Sequence, residues 1–186
     1  HQALRAAQAE DPDQLALGVT LVACLIRHRH ATLAHVGNAR AYLLGRRGLC
    51  QITRDHTWAG ERQAHGLATP AEVRSHPFRG VITQFLGGSP DPEVELQEVE
   101  LVGSERLLLC TDGLWEGLSD FQLWDLGTRP GALQDVLGGL LSRSMDQCGE
   151  DDAAAVLWEA EPPDDGARRS APRNQPSIDT AFQPRS

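Results

Sequence analysis

The chain has 186 residues, 40% of them apolar and 23% charged, which is enough for one folded domain with a hydrophobic core. Its formal net charge of -9 argues against a general binder of nucleic acid or of an anionic membrane, since either would call for a basic face. No apolar run reaches membrane-spanning length and no basic stretch followed by an apolar one marks a secretory leader, so the expected compartment is the cytoplasm.

His1 to Glu10 is rich in strong helix formers and reads as a helix that Asp11-Pro12-Asp13 ends. Val19 to Ile26 is apolar on both strand faces and is expected as a central strand. A polar turn over Arg27 to His30 leads into a second strand, Ala31 to Val36, which makes a hairpin. His28 and His30 have H-x-H spacing, but at a turn between arginines they are expected to be solvated rather than metal-bound. Ala41 to Leu44 and Leu49 to Thr53 follow as a third and a fourth strand around Arg46-Arg47-Gly48. Four short apolar strands in succession predict an antiparallel meander with both faces covered.

The character then changes. Thr57 is the better placed cap for a short helix from Trp58 to Gly66. Thr69-Pro70-Ala71-Glu72 starts another, ending near His76, and the whole segment is expected as a surface insertion. Val81 to Leu86 is an apolar run closed by Gly87-Gly88. Val94 to Leu101 alternates apolar with polar residues and predicts an exposed edge strand. Leu107 to Thr111 reads as a buried strand, with Asp112-Gly113 as a sharp turn that leaves a carboxylate at its tip. Ser119 and Asp120 can cap a helix over Phe121 to Leu126. Pro130 opens a further helix over Leu133 to Arg143, whose leucines and Val136 fall on one stripe. Asp151-Asp152 precedes a final strand, Ala153 to Trp158. Residues 161–186 hold five prolines and little to bury, and are expected as a disordered tail behind a domain over 1–160.

The four cysteines show no C-x-x-C spacing, and three of them lie in or beside apolar segments, where buried thiols are expected. Two carboxylate sites at strand ends, with no histidine or cysteine cluster, point to a hard, oxygen-loving cation such as Mg²⁺ or Mn²⁺.

Six segments, in order, carry a resemblance. They are G-V-T-L-V-A (18–23), V-G-N-A-R-A-Y-L-L (36–44), L-C-Q-I-T-R-D-H (49–56), H-P-F-R-G-V-I-T-Q-F-L-G-G (76–88), L-L-L-C-T-D-G-L (107–114) and G-E-D-D-A-A-A-V-L (149–157). The chain so read resembles the metal-dependent protein phosphatase 2C family in its bacterial form. The resemblance implies an α+β fold, a β-sandwich of two antiparallel sheets flanked by helices, with a metal centre in a cleft at one edge. It implies hydrolysis of phosphoserine or phosphothreonine on phosphorylated proteins, the substrates of a serine/threonine kinase, by water activated at two Mg²⁺ or Mn²⁺ ions. It gives Asp112 and Asp151 as the catalytic metal ligands, Asp152 as the second choice for Asp151, and Gly37, Asn38 and Gly113 as flanking residues. The segment Trp58 to His76 matches the family's flap, which helps choose substrates.

The departures from the family pattern are specific. V-G-D-S-R reads V-G-N-A-R, so a third, weaker metal site has Asn38 in place of its aspartate; G-T-T reads G-V-T, and D-N-x-T-V-V reads D-D-A-A-A-V. The family's N-terminal arginine, Glu-Asp pair and D-G-x-G-G segment have no counterpart in this sequence. The domain is therefore expected to be incomplete at its N-terminus, with residues 1–160 its C-terminal two-thirds. Two aspartates cannot fill two octahedral metal sites, so little or no turnover is expected of the chain by itself. Marginal stability is expected too, from strand edges left without partners. The alternative reading is a non-catalytic regulatory or binding module, favoured by Asn38, Ala39 and Ala154.

Overall fold

Two hairpins begin the sheet structure, and each belongs to a different sheet. Strand β1 (Leu21–Arg27) pairs antiparallel with β2 (His30–Val36), around a turn in which His28 takes a positive φ of 55°. Strand β3 (Arg40–Gly45) pairs with β4 (Gly48–Gln51). Between the hairpins Gly37 adopts φ 102°, and a side chain there would collide with Thr20. Only glycine accepts that backbone and that contact together. The computed structural model describes residues 1–11, 17–148 and 151–160. The tail expected over 161–186 lies outside the described residues.

The three-stranded sheet has the order β1-β2-β5, with β5 at Glu95–Glu100. The four-stranded sheet has the order β4-β3-β6-β7, with β6 at Arg106–Cys110 and β7 at Ala155–Glu159. Every pairing is antiparallel. The four N-terminal strands thus form two hairpins in two sheets rather than one meander, because the Gly37-Asn38 crossing carries the chain from one sheet to the other. Strand β1, expected at the centre, lies at an edge among the described residues, where it pairs with β2 alone. Strand β5 is the edge strand that its alternation predicts, with burial alternating along its length.

The two sheets pack face to face. Cys24, Ile26, Ala31 and Val99 from one meet Leu43, Leu107, Leu109 and Trp158 from the other. The far side of the four-stranded sheet is covered by helices α4 (Asp112–Trp115), α5 (Asp120–Gly127) and α6 (Leu133–Cys148), numbered after α1 (Gln2–Glu10), α2 (Trp58–Ala64) and α3 (Pro70–Ser75). Tyr42, Leu44, Leu108 and Cys110 meet Leu114, Trp115, Leu123, Val136 and Leu140 there. Burial of these apolar groups, at about 25 cal/mol per Å², is the main force holding the layers together.

Sequence signals fix the helix starts. Thr57 accepts from the Gly60 amide, and Thr69 with Glu72 and Ser119 with Gln122 form capping boxes. The last helix runs five residues beyond the expected Arg143. Cys50 is exposed, contrary to the expectation of a buried thiol: β4 is an edge strand and Cys50 lies on its solvent side. Burial pushes the thiol of Cys110, on the central strand β6, up to about 12.

Candidate metal centre

Strands β6 and β7 are neighbours, with Cys110 opposite Ala155. Because they run antiparallel, the segment that leaves β6 and the segment that enters β7 sit at the same end of the sheet. That places Asp112 on one and Asp151-Asp152 on the other. The two segments are stitched together: the Thr111 amide donates to the Ala154 carbonyl at 3.0 Å, and the Ala154 amide donates to Thr111 Oγ1 at 3.0 Å.

Gly113 explains the closeness. It lies inside α4 without a positive φ, so the sharp turn expected of it is not its role. A Cβ at this position would lie 2.5 Å from the Asp152 carbonyl oxygen and 2.9 Å from its carbon. Any side chain would force the 152–153 backbone away from Asp112.

The carboxylate of Asp112 is held on both oxygens. Oδ1 accepts from the Gly113 amide at 3.0 Å, and Oδ2 accepts from Nδ2 of Asn38 at 2.9 Å. Asn38 is buried, and its own carbonyl accepts from Trp115 Nε1 at 3.1 Å. Ser144 on α6 donates to the Gly113 carbonyl at 2.6 Å, which fixes the short helix α4 from behind. Asp151 Oδ1 accepts from the Asp152 amide at 2.9 Å, and both of these aspartates are exposed.

Beneath this lies an ionic core. The Arg40 guanidinium stacks on the Trp115 ring at 3.4 Å, pairs with buried Asp55 through Nε at 2.8 Å, and donates to the Tyr42 hydroxyl at 2.8 Å. Asp55 and Tyr42 raise the pKa of Arg40 against the cost of its burial, so it stays charged. Asp55, two residues before the Thr57 cap, serves as this buried counter-ion.

Carboxylate oxygens with an amide beside them suit a hard divalent cation in kind. In number they supply part of an octahedral shell. Among the described residues Asp112, Asp151 and Asp152 do not bring three ligand atoms together.

Three residues that sequence reading left apart do converge. His35, His56 and Glu95 have ligand atoms within 4.8 Å of one another, which corrects the expectation of no histidine cluster. His35 and Glu95 are cross-strand partners on β2 and β5, and His56 follows β4. His56 Nε2 is 3.4 Å and His35 Nδ1 3.9 Å from Glu95 Oε2, and the two rings lie 4.7 Å apart. His56 Nδ1 accepts from the Gly37 amide at 3.3 Å. His35 is 1% exposed, and among the described residues neither of its ring nitrogens makes a hydrogen bond of good geometry. Burial, then the neighbouring His56, push its pKa below the ordinary range and keep it neutral. A signal was present: His35 shares the inward period of Ala31 and Leu33, where a histidine is conspicuous. His28 and His30 are exposed at their turn and belong to no such group.

Known proteins resemble this chain in sequence and in fold. The model of the family described as protein phosphatase 2C matches residues 1–63. The serine/threonine protein phosphatase PstP of Mycobacterium tuberculosis is 39% identical over 117 residues, 62% of this chain and 22% of that protein. A crystal structure of a bacterial serine phosphatase superposes with a TM-score of 0.80 at 28% identity, covering 87% of this chain and 66% of that one. The catalytic domain of PstP in complex with two manganese ions gives 0.73 at 29% identity, over 86% and 66% of the two chains. The chain thus spans less than two-thirds of the length of each of these proteins. Sequence motifs, sandwich and relatives agree, and the chain is similar in sequence and in fold to bacterial members of the protein phosphatase 2C family.

Proposed function

We propose that Asp112 and Asp151 are ligands in the metal centre of a protein serine/threonine phosphatase that uses Mg²⁺ or Mn²⁺. The observation that carries this reading is the stitched pair of segments, 111–113 and 152–154, with Gly113 bare of a side chain between them. It sets two carboxylates from distant parts of the chain at one end of a sheet whose central strands are buried. The manganese-bound relative supports the choice of ion. The named relatives support the enzyme over the binding module.

When bound, the ions supply Lewis-acid chemistry: they activate a water and offset charge on the phosphoryl oxygens. The work of this chain is to hold carboxylates still. Asn38 and the Gly113 amide orient Asp112 through its two oxygens, and Trp115 and Ser144 fix those two residues in turn. Asn38 is also a neutral neighbour where a second carboxylate would repel Asp112. On the other segment the family resemblance gives Asp151 as the ligand and Asp152 as the second choice.

The substrates are proteins carrying phosphoserine or phosphothreonine placed there by a serine/threonine kinase, and the compartment is the cytoplasm. No helix among the described residues is long and apolar enough to cross a membrane. The test is hydrolysis of a phosphothreonine peptide by the complete gene product with Mn²⁺. Activity that Asp112→Asn lowers by about 100-fold or more supports the reading. A folded complete protein without activity refutes it.

A further inference from the structure

We infer that His35, His56 and Glu95 form a separate metal site, which takes a transition-metal ion of the zinc class rather than Mg²⁺ or Mn²⁺. The geometry is close to what such an ion needs. Ligand atoms about 2.0–2.1 Å from zinc at tetrahedral angles sit about 3.4 Å from one another. Here one pair stands at 3.4 Å, a second at 3.9 Å, and all three atoms lie within 4.8 Å.

The donors choose the metal. Two imidazoles and one carboxylate are a zinc set that leaves a fourth position open for water. Imidazole suits zinc, copper and nickel, whereas Mg²⁺ and Mn²⁺ favour oxygen. The structure also needs an occupant here. His35 is sealed from solvent, and among the described residues neither ring nitrogen makes a hydrogen bond of good geometry, a costly state for a polar group unless something binds it. Glu95 Oε2 is too far for a hydrogen bond, at 3.9 Å.

The three ligands come from three segments, β2, the turn after β4, and β5, so the ion ties the two sheets together beside Gly37. His56 offers Nε2, the atom that faces Glu95. It gives up the proton there and takes one on Nδ1, and the 3.3 Å contact with the Gly37 amide opens in exchange.

The site stands independently of Asp112 and Asp151, and the experiment keeps the two apart. Zn²⁺ is titrated into the 186-residue chain by calorimetry, and Co²⁺ is followed by its visible absorption. One Zn²⁺ per chain is expected, with the intense bands of four-coordinate Co²⁺. Binding should survive the double substitution Asp112→Asn, Asp151→Asn. It should weaken by about 100-fold or more in His35→Gln and in Glu95→Gln. Glu95, with a side chain 21% exposed, is the variant safest for folding, and circular dichroism checks both. Absence of saturable Zn²⁺ binding overturns the inference. So does binding that disappears with the aspartates yet persists in folded Glu95→Gln.

Discussion

The two sheets are built from similar apolar sequence and end in different environments. Leu108, on β6, is 0% exposed between helices and sheet, while Leu25 on β1 and Leu96 on β5 are 57% and 67% exposed on the open side of theirs. The four-stranded sheet is covered on both faces; among the described residues, the three-stranded sheet is covered on one. Strand apolarity therefore does not determine which side is wet. What does is whether a later element returns to cover it, as α4, α5 and α6 do for β3 and β6. The candidate carboxylates stand at the ends of the sheet that is covered twice, where a ligand is held most rigidly.

The largest expected effect breaks the ionic core of the covered sheet. Arg40→Ala strands Asp55 as an unpaired buried charge and should cost about 3–5 kcal/mol in a urea melt. A loss below about 1 kcal/mol would mean that the pair is solvated and the core is looser than described. Next comes the direct contrast between the sheets. Leu108→Ala should cost about 2–5 kcal/mol, and Leu25→Ala no more than about 0.5 kcal/mol. Equal costs would erase the difference in burial. Smaller again is Gly113→Ala, which pushes on the Asp152 backbone and should cost about 1–3 kcal/mol. It should also weaken Mn²⁺ binding by the complete gene product; unchanged affinity would show that closeness of the two segments is not needed.

Much of this was legible from sequence where a local rule operates. The apolar run before Asp112 could only be a buried strand, and the alternation over 94–101 announced an edge. Thr57, Thr69 and Ser119 marked helix starts because capping is a contact between near neighbours. What was not legible depended on distant contacts. Val19 to Ile26 looked central because its apolarity says nothing of which strands return to pair with it. The four strands looked like one meander because the switch between sheets rests on a single glycine. Gly113 was read as a bend, yet it serves a backbone some forty residues further on. His35, His56 and Glu95 were passed over because their convergence exists only once β2 and β5 pair. The carboxylates themselves were found through the family pattern, and the stitching between their segments emerged only in the fold.

The central claim is that the Asp112 segment and the Asp151 segment hold the same metal centre. Mn²⁺ affinity and stoichiometry of the complete gene product, measured by electron paramagnetic resonance, test it most directly. The account predicts that Asp112→Asn and Asp151→Asn each lose Mn²⁺ affinity while the protein stays folded, and that Asp152→Asn loses far less. Unchanged Mn²⁺ binding in both of the first two variants would contradict it.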